Sequence, residues 1–167
     1  MKAVSNSTPL IYLAKLNKLP FLKKIFDELY VPSAVYDEVV LKGRELDKAE
    51  VIGVEKAIEN GAIIVKDAKS KLKIDTLHKG ELEAISLALD MKVKNILIDD
   101  KEGVEVCKVL GLRPYRTTAI LLEFLKKDLI KAREFEDLLI ELSKAGYFMR
   151  AEVFSLLLRE AKRFKRK

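Results

Sequence analysis

The stretch Asn95-Ile96-Leu97-Ile98-Asp99-Asp100 decides the fold class. Its apolar run has no polar alternation and is too short for a helix, so it reads as a strand buried on both faces of a parallel sheet. The two aspartates stand where that strand ends. Lys101 then opens a helical pattern with Val104, Cys107, Val109 and Leu110, closed by Gly111. On the other side, Gly80-Glu81 opens a helix carrying Leu82, Ile85, Leu89 and Met91 at core spacing. Helix, strand and helix in this order form part of a β-α-β unit.

The same alternation extends outward. Ala3-Val4-Ser5 is a short strand, and Thr8-Pro9 predicts a helix with Thr8 as N-cap and Pro9 as its first residue. A short helix over 20–27 precedes a second strand at Leu29-Tyr30-Val31-Pro32. Ser33 caps a helix bearing Val35, Val39 and Val40, with Gly43 expected to end it. A helix over 47–60 stops at Gly61, a third strand follows over 62–65, and Leu112 to Tyr115 forms a fifth. The expectation is an α/β fold: a parallel sheet of four to five strands with helices on both faces. From Thr118 onward the pattern is helical only, over 118–130, 131–143 and 150–164. This divides the chain into a core, 1–126, and a helical extension, 127–167, packed on it and ending in a basic tail.

Composition bounds the rest. A chain of 167 residues that is 49% hydrophobic and 35% charged is neither disordered nor of low complexity. No run approaches the roughly 18 to 20 apolar residues of a membrane span. No signal-like apolar run follows Met1, and the one cysteine, Cys107, forms no internal disulfide, so a cytoplasmic protein is expected. The net charge of +6 is concentrated in Arg159–Lys167, where six basic groups face one acid. Arg163, Lys165 and Arg166 in that tail suit nucleic-acid phosphates. They equally suit a solvated helix end that complements the macrodipole.

Dinucleotide, P-loop and nucleophile-elbow motifs are absent. His78, the one histidine, reads as a surface residue near a helix start, and Cys107 as a buried thiol. What remains is a set of polar groups at the carboxyl ends of strands, where ligands of open parallel sheets bind. Asn6, Ser7 and Thr8 follow strand one, and Asp99 and Asp100 follow strand four. Glu38 lies in the helix after strand two, and Glu81, with Glu83 nearby, starts the helix before strand four. Carboxylates gathered on one rim repel, and a hard cation such as Mg²⁺ or Mn²⁺ relieves that. Each residue also has an ordinary reading: Asp99 or Asp100 as helix cap, Glu81 as dipole partner, Glu38 on a wet face, Ser7 and Thr8 in turn chemistry.

Four segments fall in a recognisable order: Val4-Ser5-Asn6-Ser7-Thr8-Pro9-Leu10-Ile11; Val31-Pro32 with Val35-Tyr36-Asp37-Glu38-Val39; His78-Lys79-Gly80-Glu81-Leu82-Glu83-Ala84; and Ile96-Leu97-Ile98-Asp99-Asp100-Lys101. The chain resembles the PIN-domain nucleases, and within them the VapC-like branch. Leu138-Leu139, Leu142, Ala145-Gly146-Tyr147-Phe148 and the helix after Arg150 extend the resemblance nearly to the end. It implies a Mg²⁺- or Mn²⁺-dependent endoribonuclease acting on RNA, the toxin partnered by an antitoxin protein, and a homodimer. It places Asn6 at the family's first acid, Glu38 at the second, Glu81 at the third, and Asp99 or Asp100 at the fourth. Ser7 or Thr8 takes the supporting hydroxyl, and Lys101 joins the basic tail as an RNA contact. Asn6 departs from the pattern, since its amide offers an oxygen without charge. The competing expectation is therefore a catalytically impaired module of the same fold that binds RNA or a protein partner. A small-ligand or phosphoacceptor domain is disfavoured, because its acid follows the first strand, where Ser5-Asn6 stands.

Overall fold

Five parallel strands run in the order β3-β2-β1-β4-β5, in a computed structural model that describes residues 1–69 and 71–164. They are β1 (Lys2–Ser5), β2 (Glu28–Val31), β3 (Ile63–Val65), β4 (Asn95–Leu97) and β5 (Arg113–Tyr115). The first three are laid down toward one edge and the last two toward the other. The order therefore reverses between β1 and β4, paired in the register Ala3 with Asn95, Val4 with Ile96 and Ser5 with Leu97. A crevice outside the carboxyl ends of such a pair is where open α/β sheets bind ligands.

The helices are α1 (Ser7–Lys15), α2 (Ser33–Tyr36), α3 (Lys42–Glu45), α4 (Glu50–Glu59), α5 (Lys79–Asp90), α6 (Lys101–Val109), α7 (Thr117–Lys126), α8 (Ala132–Lys144) and α9 (Ala151–Phe164). The expected three-layer α/β architecture is thus present. Its core joins Val4, Ile96 and Ile98 of the sheet region to Ala84, Ile85, Leu87 and Ala88 of α5 and to Val104 and Cys107 of α6. The chain forms two compact units, Met1–Thr117 and Thr118–Lys167. In the second unit α8 packs against α9, and Phe135, Leu138, Leu139 and Leu142 are buried. Among described residues of α9 only Ala161 is fully buried.

Several local expectations are corrected. The N-cap of α1 is Asn6, so Pro9 is its third residue rather than its first. The chain from Leu19 to Lys24 is a 3-10 helix with Pro20 at its start. Gly43 does not end a helix: it lies inside α3, where an added Cβ would collide with Val51 Cγ2. Close packing of α3 on α4 requires glycine there, whereas Gly61 and Gly111 do end helices, at φ of 72° and 74°. Val109 and Leu110 are exposed, because α6 buries Gly103, Val104 and Cys107 and these two lie on another face. Between α2 and α3 the helix widens to a π turn over Asp37–Leu41, which carries Glu38. Such turns displace a side chain relative to a regular helix and recur at functional sites.

Candidate active site at the strand ends

β1 delivers Asn6 to the crevice and fixes its backbone twice. The Asn6 N–H donates to the Leu97 carbonyl at 2.9 Å, and its carbonyl accepts from Ser5 Oγ at 2.9 Å. The side chain is buried, and Oδ1 has no hydrogen-bond partner. The next residue, Ser7, is also buried and donates its hydroxyl to Glu38 Oε2 at 2.8 Å. The π turn and α1 are thereby tied at the carboxylate. Thr8, at the second position of α1, is half-buried.

The third contributor is α5. A Cβ placed on Gly80 would lie 3.1 Å from Glu38 Oε2, 3.3 Å from Asn6 Oδ1 and 3.4 Å from His78 Cε1. Gly80 thus leaves a small space onto which an amide oxygen and a carboxylate oxygen both face. Glycine in a first helical turn, where alanine would favour the helix, is the one local cue here, and it does not say what the space is for. Glu38, His78 and Gly80 also line a cleft of about 460 Å³ with Ala34, Asp37, Lys42 and Lys79. Lys42 and Lys79 bring positive charge to the mouth of an otherwise acidic site.

Glu81 is buried and engaged. His78 is the N-cap of α5, and its ring Nε2 lies 3.0 Å from Glu81 Oε1. The His78 backbone N–H donates to Glu81 Oε2 at 3.3 Å, closing a capping box. Burial pushes the Glu81 carboxyl above its usual range. The His78 ring and N–H oppose that shift, while Asp100 and Glu38 add to it. Glu81 therefore feels the charges of both Asp100 and Glu38. His78, expected as a surface residue near a helix start, also sets its ring Nε2 against the Glu81 carboxylate, which spacing alone did not reveal.

The aspartate pair divides. Asp99 accepts from the Thr117 N–H at 2.9 Å and from Thr117 Oγ1 at 2.7 Å, and its carbonyl takes Arg116 at 3.0 Å. Its charge also raises the Tyr12 hydroxyl, after burial. Asp100 caps α6, with Oδ2 accepting from the Gly103 N–H at 2.9 Å. Thr117 and Arg116 were not singled out from sequence, since the clasp joins segments seventeen and eighteen residues apart. Glu83 points elsewhere and accepts from the Ala34 N–H at 3.3 Å, while Asp67 accepts from the Ser33 N–H at 3.0 Å. Between them they satisfy the first donors of α2.

Lys101 is exposed at the start of α6. In the second unit Arg163 pairs with Glu160 at 2.7 Å, and Lys165 and Arg166 lie outside the described residues. Cys107 is fully buried and its thiol is pushed up to about 12, first by burial and then by Glu81, which suits packing and not nucleophilic chemistry. Among the described residues no three His, Cys, Asp or Glu side chains stand together in a metal-holding group. The donors at the Gly80 space are one carboxylate and one amide, both oxygen, which is the ligand type of a hard divalent cation. In donor chemistry they fit. Among the described residues no helix is long and apolar enough to cross a membrane.

No curated protein matches this sequence. Among solved structures, a PilT N-terminus domain protein from the hyperthermophilic archaeon Sulfolobus solfataricus P2 is similar over 90% of this chain and 100% of its own, with 18% identity and a TM-score of 0.49. The family model DUF3368, described as a PIN domain, matches residues 2–163, which takes in all four strand-end segments and both compact units up to Arg163. With that coverage the chain belongs to the PIN-domain family, whose members are in general nucleases.

Proposed function

We propose that this protein is a Mg²⁺- or Mn²⁺-dependent endoribonuclease that hydrolyses RNA phosphodiester bonds. We read it as the VapC-like toxin of a cytoplasmic toxin–antitoxin pair, acting as a homodimer with an antitoxin protein as partner. The observation that carries the nuclease reading is the space at Gly80. Glu38 Oε2 and the unpartnered Asn6 Oδ1 both border it, and the buried Glu81 carboxyl nearby feels the charges of Asp100 and Glu38.

On this reading Asn6 and Glu38 hold the cation, and Glu81 and Asp100 supply the surrounding negative charge. A divalent ion there would lower the pKa of a water and offset charge on the phosphoryl oxygens. The protein's own groups do the rest. Ser7 holds Glu38 in place through its hydroxyl, and His78 holds Glu81. Lys42 and Lys79 line the cleft and attract the RNA backbone toward Glu38. Lys101, Arg163, Lys165 and Arg166 are assigned further phosphate contacts. We read Asp99 as the clasp that fixes the start of α7, and Asp100 as the acid of the pair that acts at the site.

Labelled single-stranded and structured RNAs, incubated with Mg²⁺, Mn²⁺ or EDTA, test this directly. Metal-dependent cleavage by the wild type that disappears in Glu38→Gln is the expected result. The neutral Asn6 and the pairing of Glu81 with His78 favour a second reading, a catalytically impaired module that binds RNA or a protein. RNA bound equally well in EDTA and recovered intact in every metal would establish that alternative.

A further inference from the structure

Asn6 caps α1 in position only. Its backbone is extended, at φ −80° and ψ 173°, yet its side chain makes no capping hydrogen bond. An asparagine at this place ordinarily turns its oxygen onto the N–H of the second or third helical residue. Of these two, Thr8 at the second place keeps its N–H, which Asn6 leaves unused, and Pro9 at the third has none to give. The helix itself loses nothing by this, because first-turn N–H groups make no intrahelical bond. The consequence falls on Asn6, whose Oδ1 is left buried without a partner, a costly state unless something completes it.

The direction of that oxygen matters. The Asn6 backbone is held by Leu97 and Ser5, and Oδ1 is the Asn6 acceptor left without a partner. Oδ1 lies 3.3 Å from the point where a Gly80 Cβ would stand, and Glu38 Oε2 lies 3.1 Å from the same point. Two acceptors bordering one small space attract a cation and not a further acceptor. We propose that Pro9 is a positioning residue: by withholding the N–H at the third place of α1, it keeps Asn6 Oδ1 turned off the helix and free to ligate a hard divalent cation beside Glu38. This rests on the metal-site reading above.

Pro9→Ala and Pro9→Gly both restore the N–H and test the idea. Mn²⁺ affinity, read by titration calorimetry, should weaken about fivefold in both, the equivalent of one N-cap bond now competing for Asn6. In the metal-free Pro9→Ala protein the new backbone amide at position 9 should be slow to exchange with D₂O, and that protection should vanish in the Pro9→Ala/Asn6→Ala double variant. Mn²⁺ affinity equal to a binding-competent wild type overturns the role of Pro9 alone. So does an amide at position 9 whose exchange ignores the Asn6 substitution. A wild type that binds no Mn²⁺ overturns this role and the metal-site reading together.

Discussion

β1 and β4 are neighbours at the point where the strand order reverses, and the polar residues that follow them are treated in opposite ways. Asp99, after β4, receives both an N–H and a hydroxyl from buried Thr117. Asn6, after β1, receives nothing on a buried oxygen. A carboxylate with its acceptors satisfied holds two segments together. A buried acceptor left open costs stability and is retained where it has a ligand to meet. The contrast separates the part of the rim that fastens the fold from the part offered to chemistry, although both present the same kind of residue to a reader of the sequence.

The largest expected effect tests the open side. Glu38→Gln should reduce metal-dependent RNA cleavage by at least about 100-fold, the usual scale for removing an electrostatic contributor. The melting temperature should hardly move, since Gln keeps an acceptor for Ser7. Undiminished cleavage would sink the assignment. On the closed side, Asp99→Ala leaves the N–H and hydroxyl of Thr117 buried without their partner. A loss of about 1–3 kcal/mol in urea unfolding is expected. If that variant instead keeps its stability and loses Mn²⁺ binding, the roles of the two strand ends are reversed.

Gly80→Ala sharpens the comparison because its two readouts should move apart. The methyl would enter the space shared by Glu38 and Asn6, weakening Mn²⁺ binding roughly tenfold, the low end for changes around a metal site. Helix stability should stay level or rise by up to about 1 kcal/mol, as glycine gives way to alanine. A parallel loss of both would mean that the glycine serves packing alone.

The smallest effect concerns Glu81. Burial holds its folded-state carboxyl above the ordinary value of 4.5, so the native protein binds that proton more tightly than the unfolded chain. Its contribution to stability is greatest below the ordinary value and falls as pH rises through the raised one. Glu81→Gln should therefore gain on the wild type in denaturant midpoint as pH rises from the ordinary carboxyl value through the raised one. A difference between the two proteins that is flat with pH would show that His78 fully offsets the burial.

Much of this architecture is written in local patterns. The unbroken apolar run at 96–98, the glycines at 61 and 111, and the alternation of strands with helices act over a few residues, where chain geometry and burial set the period. Gly43 misled for the converse reason. Its need arises from Val51 Cγ2, which a Cβ would overlap, and that neighbour belongs to another helix. The candidate site divides along the same line. Asn6, Ser7, Glu81 and the aspartate pair could be nominated from sequence because they sit at strand ends and helix starts, and Glu38 because it lies in the helix that follows β2. His78 as the partner of Glu81, Gly80 as a spacer and Thr117 as the clasp of Asp99 could not.

By itself, then, the sequence determined a parallel α/β sheet, the rim where its polar residues gather, and the covalent fact that Pro9 has no N–H beside Asn6. Only the tertiary structure decided which of those polar atoms are satisfied. Hydrogen-bond satisfaction depends on donors brought in from distant segments, as Thr117 is to Asp99 and Ser7 to Glu38, and no local period encodes which acceptor they reach.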